Sequence, residues 1–330
     1  MSTRVLDSTN RKAEVTIVDT SPREGSVVFA KVGTSEKIAL ANRLIQSGLR
    51  KLECAAFTHP RLTPAYADAE SVVGSVERVS GVDIIGIAPN ETACRRALST
   101  NVDEIGLLVA ASESFNQSLL GASIKQTIYK TFPAVIPLCR EKGLSVRVYL
   151  LTAFWCHYEG RIPLRDVTGL ASILSHLGVH EISLVDTPGM ANPRQVQETV
   201  RALLELGLDV RFAAHFHNTR GFGLANCLAA YDAGVRIFDA AIGGLSGSPF
   251  GAPKMGLGSW NVPTEDLVCL FHESGVDTGI SPDAIIEAAE FAQRLIGQEL
   301  AGHAARARKA FKKANLTEVP EGLSVAGIAC

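Results

Sequence analysis

The chain lacks several things that would assign it to a class at once. Its 330 residues hold no apolar run near the roughly 20 residues that a bilayer-spanning helix needs. Residues 1–12 are polar, without the apolar segment of a signal peptide. The 32 Lys and Arg nearly balance the 34 Asp and Glu, and a formal charge of −2 sets up no field for nucleic acid or an anionic membrane. The seven cysteines (Cys54, Cys94, Cys139, Cys156, Cys227, Cys269 and Cys330) are odd in number and include no Cys-x-x-Cys pair. That argues against a disulfide scaffold or a cysteine-paired zinc site, and fits reduced thiols in a cytoplasmic setting. No repeat, linker or low-complexity tract divides the chain, and its last residues match no sorting signal. The glycine-rich stretch 243–258 lacks the Gly-Lys-Ser/Thr ending of a phosphate-binding loop and reads better as a lid over a substrate.

What the chain does have is a regular alternation. Hydrophobic residues make up 46% and charged residues 20%, enough apolar material for a large core. Short runs rich in Val, Ile and Leu lie near 14–19, 51–55, 82–87, 104–109, 145–151, 181–185, 210–215 and 237–241. Helical patterns separate them at 35–47, 64–79, 91–100, 123–142, 163–177, 193–206 and 223–232, several beginning beside Ser, Thr, Asn or Pro and ending at Gly48, Gly143, Gly178, Gly207 or Gly234. Eight β/α units predict an α/β fold with a parallel sheet closed into a (β/α)8 TIM barrel. An open doubly wound sheet is the alternative, but its usual Gly-x-Gly-x-x-Gly turn does not follow the first strand. The expected division is an arm at 1–12, a barrel at 13–262, C-terminal helices at 263–300 packed beside or over the barrel mouth, and a basic, then loop-like tail at 301–330.

In a barrel the chemistry belongs at the C-terminal ends of the strands. Polar residues collect at nearly all of them: Arg23 and Glu24 after the first, Glu53 and His59 at the second, Glu113 after the fourth, Cys156 and His157 after the fifth, Asp186 at the sixth. The seventh run ends in His215-Phe216-His217-Asn218. Side chains two apart on a strand share a face, so both imidazoles aim together and make half of a metal site. Two polar residues at a strand exit, one bonded to a carbonyl, is the other reading. Likewise Glu113 or Asp186 taken singly reads as a helix cap or an ion pair.

Taken in order, the motifs resemble one family. Pro22-Arg23-Glu24-Gly25, Ala111-Ser112-Glu113, Tyr158-Glu159-Gly160, the 181–187 strand with Asp186-Thr187, His215-Phe216-His217-Asn218, Gly244–Phe250 and Asn261–Asp266 follow one another as in the 3-hydroxy-3-methylglutaryl-CoA (HMG-CoA) lyases of the DRE-TIM metallolyase group. The likeness runs from about Val15 to Ile296. The sister isopropylmalate synthases share the His-x-His-Asn step but have Thr-Leu-Arg-Asp-Gly-Glu-Gln after strand one, where this chain reads Ser21-Pro22-Arg23-Glu24-Gly25. The resemblance implies a divalent metal, Mg²⁺ or Mn²⁺, held by Glu24, His215, His217 and Asn261. It implies cleavage of a 3-hydroxyacyl-CoA, HMG-CoA or a close relative, by retro-aldol or retro-Claisen chemistry. Arg23 would stabilise the thioester enolate, Glu53 would orient Arg23 or the metal's waters, and Asp186 or a water at the metal would act as base.

Four departures border the substrate. Glu24 stands where the family has Asp. Ser248 stands where the family's loop has a Cys that works as acid and base; an unactivated hydroxyl does not titrate near neutrality as a thiol can. Trp155-Cys156-His157-Tyr158 replaces Gly-Cys-Pro-Tyr, so His157 or Cys156, or water, becomes the candidate proton donor. Ser26-Val27-Val28 replaces the usual Gln and Asn. The implied partners are an acyl-CoA, its phosphates near Arg61, Lys125 or Lys254, and further copies of the chain in a dimer or tetramer; neither nucleic acid nor membrane is expected. A condensing enzyme of the isopropylmalate synthase type and a non-catalytic barrel are the alternative functions.

Overall fold

The computed structural model describes residues 14–28, 33–246 and 261–313. Eight parallel strands close into a barrel: Thr16–Asp19, Lys51–Ala56, Asp83–Ile87, Glu104–Ala110, Ser145–Leu151, Glu181–Asp186, Arg211–Phe216 and Ile237–Ala240. Neighbours in sequence are neighbours in the sheet, and the first strand closes on the eighth with Thr16 opposite Ile237 and Asp19 opposite Ala240. This is the expected (β/α)8 architecture.

The period of two decides which side chains enter the barrel. On the seventh strand Phe212, Ala214 and Phe216 pack outward into the large core beneath the helices, while Ala213 and His215 face in. On the fifth, Val146, Val148 and Leu150 face out, and Arg147 and Tyr149 face in. The second strand carries a register shift between Glu53 and Ala55. Such a bulge places two successive residues on one side, here Cys54 and Ala55 in the outer core, with Ala56 returned to the interior.

Helix boundaries follow local chemistry. Asn90, Asn192 and Ser281 cap the helices Glu91–Ala97, Pro193–Glu205 and Pro282–Ile296 by accepting from the backbone N–H three residues on. The glycines read as helix stops lie at positive φ, Gly48 at 109° and Gly234 at 118° among them.

Several segments differ from the sequence expectation. The first-strand exit carries a helix absent from the expected set, Ser21–Val28, so Arg23 and Glu24 sit in its opening turn. The 64–79 segment splits into a single turn Pro64–Tyr66 and the helix Ala69–Ser75; between them Asp68 is drawn to Thr34 and Lys37. Glu113 opens an unpredicted helix, Glu113–Leu120, capped by Ser112, and its own carboxylate accepts from the Ile124 amide. Trp155–Cys156 and Gly160–Arg161 pair as a small antiparallel ribbon. Helix Thr264–Glu273 is the first α-helix after the eighth strand among the described residues and sets Phe271 against Phe238 of that strand and Tyr231 of the preceding helix, the place of the eighth helix in the ring. Helix Pro282–Ile296 packs beside helix Thr34–Gln46, with Phe291 under the Arg43 guanidinium. Part of the basic tail is a helix, His303–Lys313. No helix among the described residues is long and apolar enough to cross a membrane.

Candidate active site

The backbone stitches the site together at the C-terminal rim. The chain returning from the eighth-strand loop is threaded between the seventh and eighth strands: Asn261 bridges His217, the Val262 amide donates to the Phe216 carbonyl (3.3 Å), and the Ala241 amide donates to the Val262 carbonyl (3.0 Å). Asp19 anchors the other side by accepting from the Thr264 hydroxyl (2.6 Å) and the Ser21 amide (2.8 Å). This joins the first helical turn, with Arg23 and Glu24, to the segment that carries Asn261.

Four of the side chains expected in the site interlock. Asn261 donates through Nδ2 to Glu24 Oε2 (2.7 Å) and to the Leu245 carbonyl (2.8 Å). That fixes its amide, leaving Oδ1 against His215 Nε2 (2.8 Å). Glu24 Oε1 accepts from Arg23 Nη2 (2.9 Å) and lies 3.9 Å from His215 Nε2. The His217 ring centroid is 5.1 Å from that of His215. Arg23 Nε donates to Glu53, whose second oxygen accepts from the Tyr149 hydroxyl. Arg23 keeps 17% of its side chain exposed, whereas Glu53 has none, so the guanidinium alone of this pair reaches the mouth.

The electrostatics follow from burial and neighbours. Burial pushes the Glu24 carboxyl up, but Arg23, His215 and His217 outweigh it and hold the group below its ordinary range. Burial opposes the charge on Arg23 too, and Glu53 and Glu24 more than restore it. His215 lies with Nδ1 3.1 Å from the Asp239 carboxylate and Nε2 2.8 Å from the Asn261 amide oxygen; burial opposes a charge on the ring, but Asp239 and Glu24 outweigh it and raise its pKa. His217 is the opposite case. Its Nδ1 donates to the Asp186 carbonyl (2.8 Å), while burial and the nearby His215 bring its pKa down to about 4, leaving a neutral ring with a lone pair on Nε2.

Among the described residues no three His, Cys, Asp or Glu side chains form a ready-made cation cage; the Asn261 amide lies between Glu24 and His215. The donor chemistry nevertheless fits a divalent cation. Oxygen and imidazole donors converge, the remote nitrogen of each histidine is already held by a carboxylate or carbonyl, and one guanidinium faces two carboxylates, a local negative excess.

Other expected residues have different surroundings. Asp186 accepts the Met190 and Ala191 amides, one on each oxygen (2.9 Å each), and burial lifts its pKa to about 6. Half-buried His157 packs edge-on to Phe115 (5.4 Å) and against Tyr158 (4.1 Å), and burial lowers its pKa. The Cys156 thiol is buried and accepts from the Ser112 hydroxyl (3.0 Å). Arg61 and Lys125 are exposed. Ser248 and Lys254 lie outside the described residues.

Sequence reasoning missed Tyr149, which braces Glu53, and Asp239, which holds His215 Nδ1. The signal was there for both: each interrupts an apolar strand at an inward position of the period-two alternation.

The HMGL-like family model matches residues 14–292. The hydroxymethylglutaryl-CoA lyase YngG of Bacillus subtilis (strain 168) is 33% identical over 290 residues, 87% of this chain and 95% of that protein. The (R)-citramalyl-CoA lyase of Chloroflexus aurantiacus is 32% identical over 297 residues, 87% of this chain and 92% of that one. The solved structure of an HMG-CoA lyase from Acenitobacter baumannii, in complex with coenzyme A and 3-methylmalate, superimposes with a TM-score of 0.84 at 35% identity, covering 93% of this chain and 98% of that one.

Proposed function

The chain belongs to the HMGL-like family, and from that premise we propose how it works as a carbon–carbon lyase on a CoA ester. The substrate is a 3-hydroxyacyl-CoA with a distal carboxylate, HMG-CoA or a close relative, and the products are an acyl-CoA and a keto acid. The observation that carries this reading is the interlocked set Arg23, Glu24, His215 and Asn261, with His217 beside it, at the mouth of the barrel.

Glu24, His215, His217 and Asn261 would hold a divalent cation, Mg²⁺ or Mn²⁺, whose charge orients the substrate's oxygens and makes its hydroxyl more acidic. Asp186 takes the hydroxyl proton. Each of its oxygens accepts one amide and keeps a second lone pair, and a pKa of about 6 suits a base working near neutrality. The C2–C3 bond then breaks, the hydroxyl carbon becomes the carbonyl of the keto acid, and the electron pair passes into the thioester as an enolate. Arg23, braced by Glu53 and partly open to the mouth, meets the oxygen on which that charge builds. The enolate carbon takes its proton from His157 or water, since the Ser248 hydroxyl is too weak an acid. Copies of the chain associate as a dimer or tetramer, which sedimentation measures.

The test is turnover of a panel of 3-hydroxyacyl-CoAs with Mg²⁺ and with Mn²⁺, followed by release of the acyl-CoA. Chelation and His217→Ala should each remove activity, and Arg23→Ala should lower kcat by about 10²–10³-fold, as expected for loss of a transition-state charge donor. Ser248→Cys should raise HMG-CoA cleavage. Turnover that survives both chelation and His217→Ala would defeat the metal-dependent reading.

A further inference from the structure

The interior of a (β/α)8 barrel is normally filled with Val, Ile and Leu. Below this site it is ionic. Arg147, Glu181 and Asp239 have no exposed side-chain surface, and Lys51 and Glu104 are nearly as deep. Burying five ionisable groups is costly unless each is paired, and a buried ion pair is weak ground for added stability. Their arrangement offers another reason for keeping them.

Arg147 lies where two chains of contacts meet. Its Nη2 donates to Asp239 Oδ1; Asp239 Oδ2 takes the Ser183 hydroxyl (2.8 Å) and faces His215 Nδ1 (3.1 Å). On its other side the guanidinium carbon lies 4.7 Å from the centroid of the Tyr149 ring, and the Tyr149 hydroxyl donates to Glu53, which grips Arg23. From below, Arg147 Nη1 is 3.1 Å from Glu181 Oε1, an oxygen that also meets Lys51 Nζ (2.9 Å). Lys51 is 2.8 Å from Glu104, and Arg211 reaches in from the surface to Glu181 Oε2 (3.3 Å). Three carboxylates are thus matched by three cations, and the only planar, permanently charged member inside is placed to touch both branches.

We propose that Arg147 is a positioning residue for both halves of the site: through Asp239 it fixes the tautomer and rotation of the His215 ring, and through Tyr149 and Glu53 it fixes the guanidinium of Arg23. Glu181 serves by holding Arg147 in the plane from which it meets both partners. A lysine here would keep the charge but not the flat fork, so it would pair with Asp239 or Glu181 and leave Tyr149 unsupported.

This rests on the function proposed above, so its decisive readout is chosen to be independent of turnover: the ¹⁵N and ¹H signals of the His215 ring in the full-length protein, with Mn²⁺ affinity and kcat and KM measured beside it. Arg147→Lys should alter the protected Nδ1–H signal, weaken Mn²⁺ binding by about tenfold or more, as for loss of a partner behind a metal ligand, and lower kcat with KM nearly unchanged. Asp239→Asn, isosteric and a safeguard should the first variant not fold, should alter the same signal and affinity. Glu104→Gln, which removes a charge from the network without touching Arg147's reach to Asp239 or Tyr149, should change thermal stability alone. If folded Arg147→Lys and Asp239→Asn keep the wild-type His215 signals, the network is structural only and the proposal is wrong. If wild type neither binds Mn²⁺ nor turns over the panel while the His215 signals still respond as expected, the positioning stands and the function proposed above is what fails.

Discussion

At the scale of single residues, Glu265 shows how a buried carboxyl ties the site to pH. It opens the eighth helix and accepts the Gly243 amide (2.9 Å) through Oε2, supporting the turn from which the eighth-strand loop departs. Oε1 is buried without a hydrogen bond, beside Gly302, where an added Cβ would lie only 1.8 Å away. Burial lifts the pKa from 4.5 to about 8, with Asp266 and Asp19 adding to it. The folded state therefore holds this proton more tightly than the unfolded chain does. Its contribution to stability is complete below the ordinary value and is lost as pH rises from there through about 8. Glu265→Gln keeps an acceptor for Gly243 and removes the titration. The expected result is a flatter dependence of stability on pH, with the variant gaining on wild type between pH 5 and 8.5, as read from denaturant midpoints. Parallel profiles would show that Glu265 stays ionised in the folded protein. Asp19, lifted to about 6 by burial, adds a slope of the same sign that the substitution leaves in place.

At the scale of elements, the helices hold their places through their ends as much as their faces. Helix Thr34–Gln46 stops at Gly48, whose φ of 109° favours glycine and whose missing Cβ leaves room for the Gly279 carbonyl, 2.4 Å from where that atom would be. The neighbouring Ser281 amide donates to the Ser47 carbonyl (2.9 Å), so the start of helix Pro282–Ile296 is fastened to the end of the first ring helix. Gly48→Ala combines an unfavourable φ with a backbone clash and should cost about 2 kcal/mol or more. A lowered denaturant midpoint with an unchanged slope would show this; a midpoint equal to wild type would mean that the junction yields freely. The elements that differed from expectation have physical causes of the same kind. Asp68 breaks the 64–79 segment because Lys37 and Thr34, distant in sequence, compete for its carboxylate. The helix Ser21–Val28, absent from the expected set, begins as soon as the strand ends, where the Thr20 carbonyl accepts the Glu24 amide (2.8 Å).

At the scale of the whole molecule, the site is where barrel closure becomes chemistry. Glu24 and Asn261 are 237 positions apart and meet only because the first strand pairs with the eighth. A cation held by Glu24, His215, His217 and Asn261 would join the first strand's exit, the seventh strand and the returning eighth loop, and would favour the folded state by mass action. At about a hundredfold its dissociation constant, Mn²⁺ should add about 2.7 kcal/mol, a rise in Tm on the order of 5 °C for a chain of this size. His217→Ala should remove that rise. An equal shift in wild type and variant would place the ion elsewhere.

The sequence alone determined the barrel and half of its site. Apolar runs alternating with helical periods specify parallel β/α units, and a spacing of two on a strand puts His215 and His217 on one face wherever that strand lies. These are local consequences of backbone geometry, readable without knowing any neighbour. The tertiary structure alone decided which groups act on them: that Asn261 lies between Glu24 and His215, that Asp239 lies against Nδ1 of the His215 ring, and that Arg147 and Tyr149 lie beneath the two halves. Such contacts span tens to hundreds of positions and depend on strand register and on the tilt that closes the sheet, and no local pattern encodes them. Burial belongs with them, because it moves His217 down and Glu265 up only once the rest of the chain has excluded water from around them.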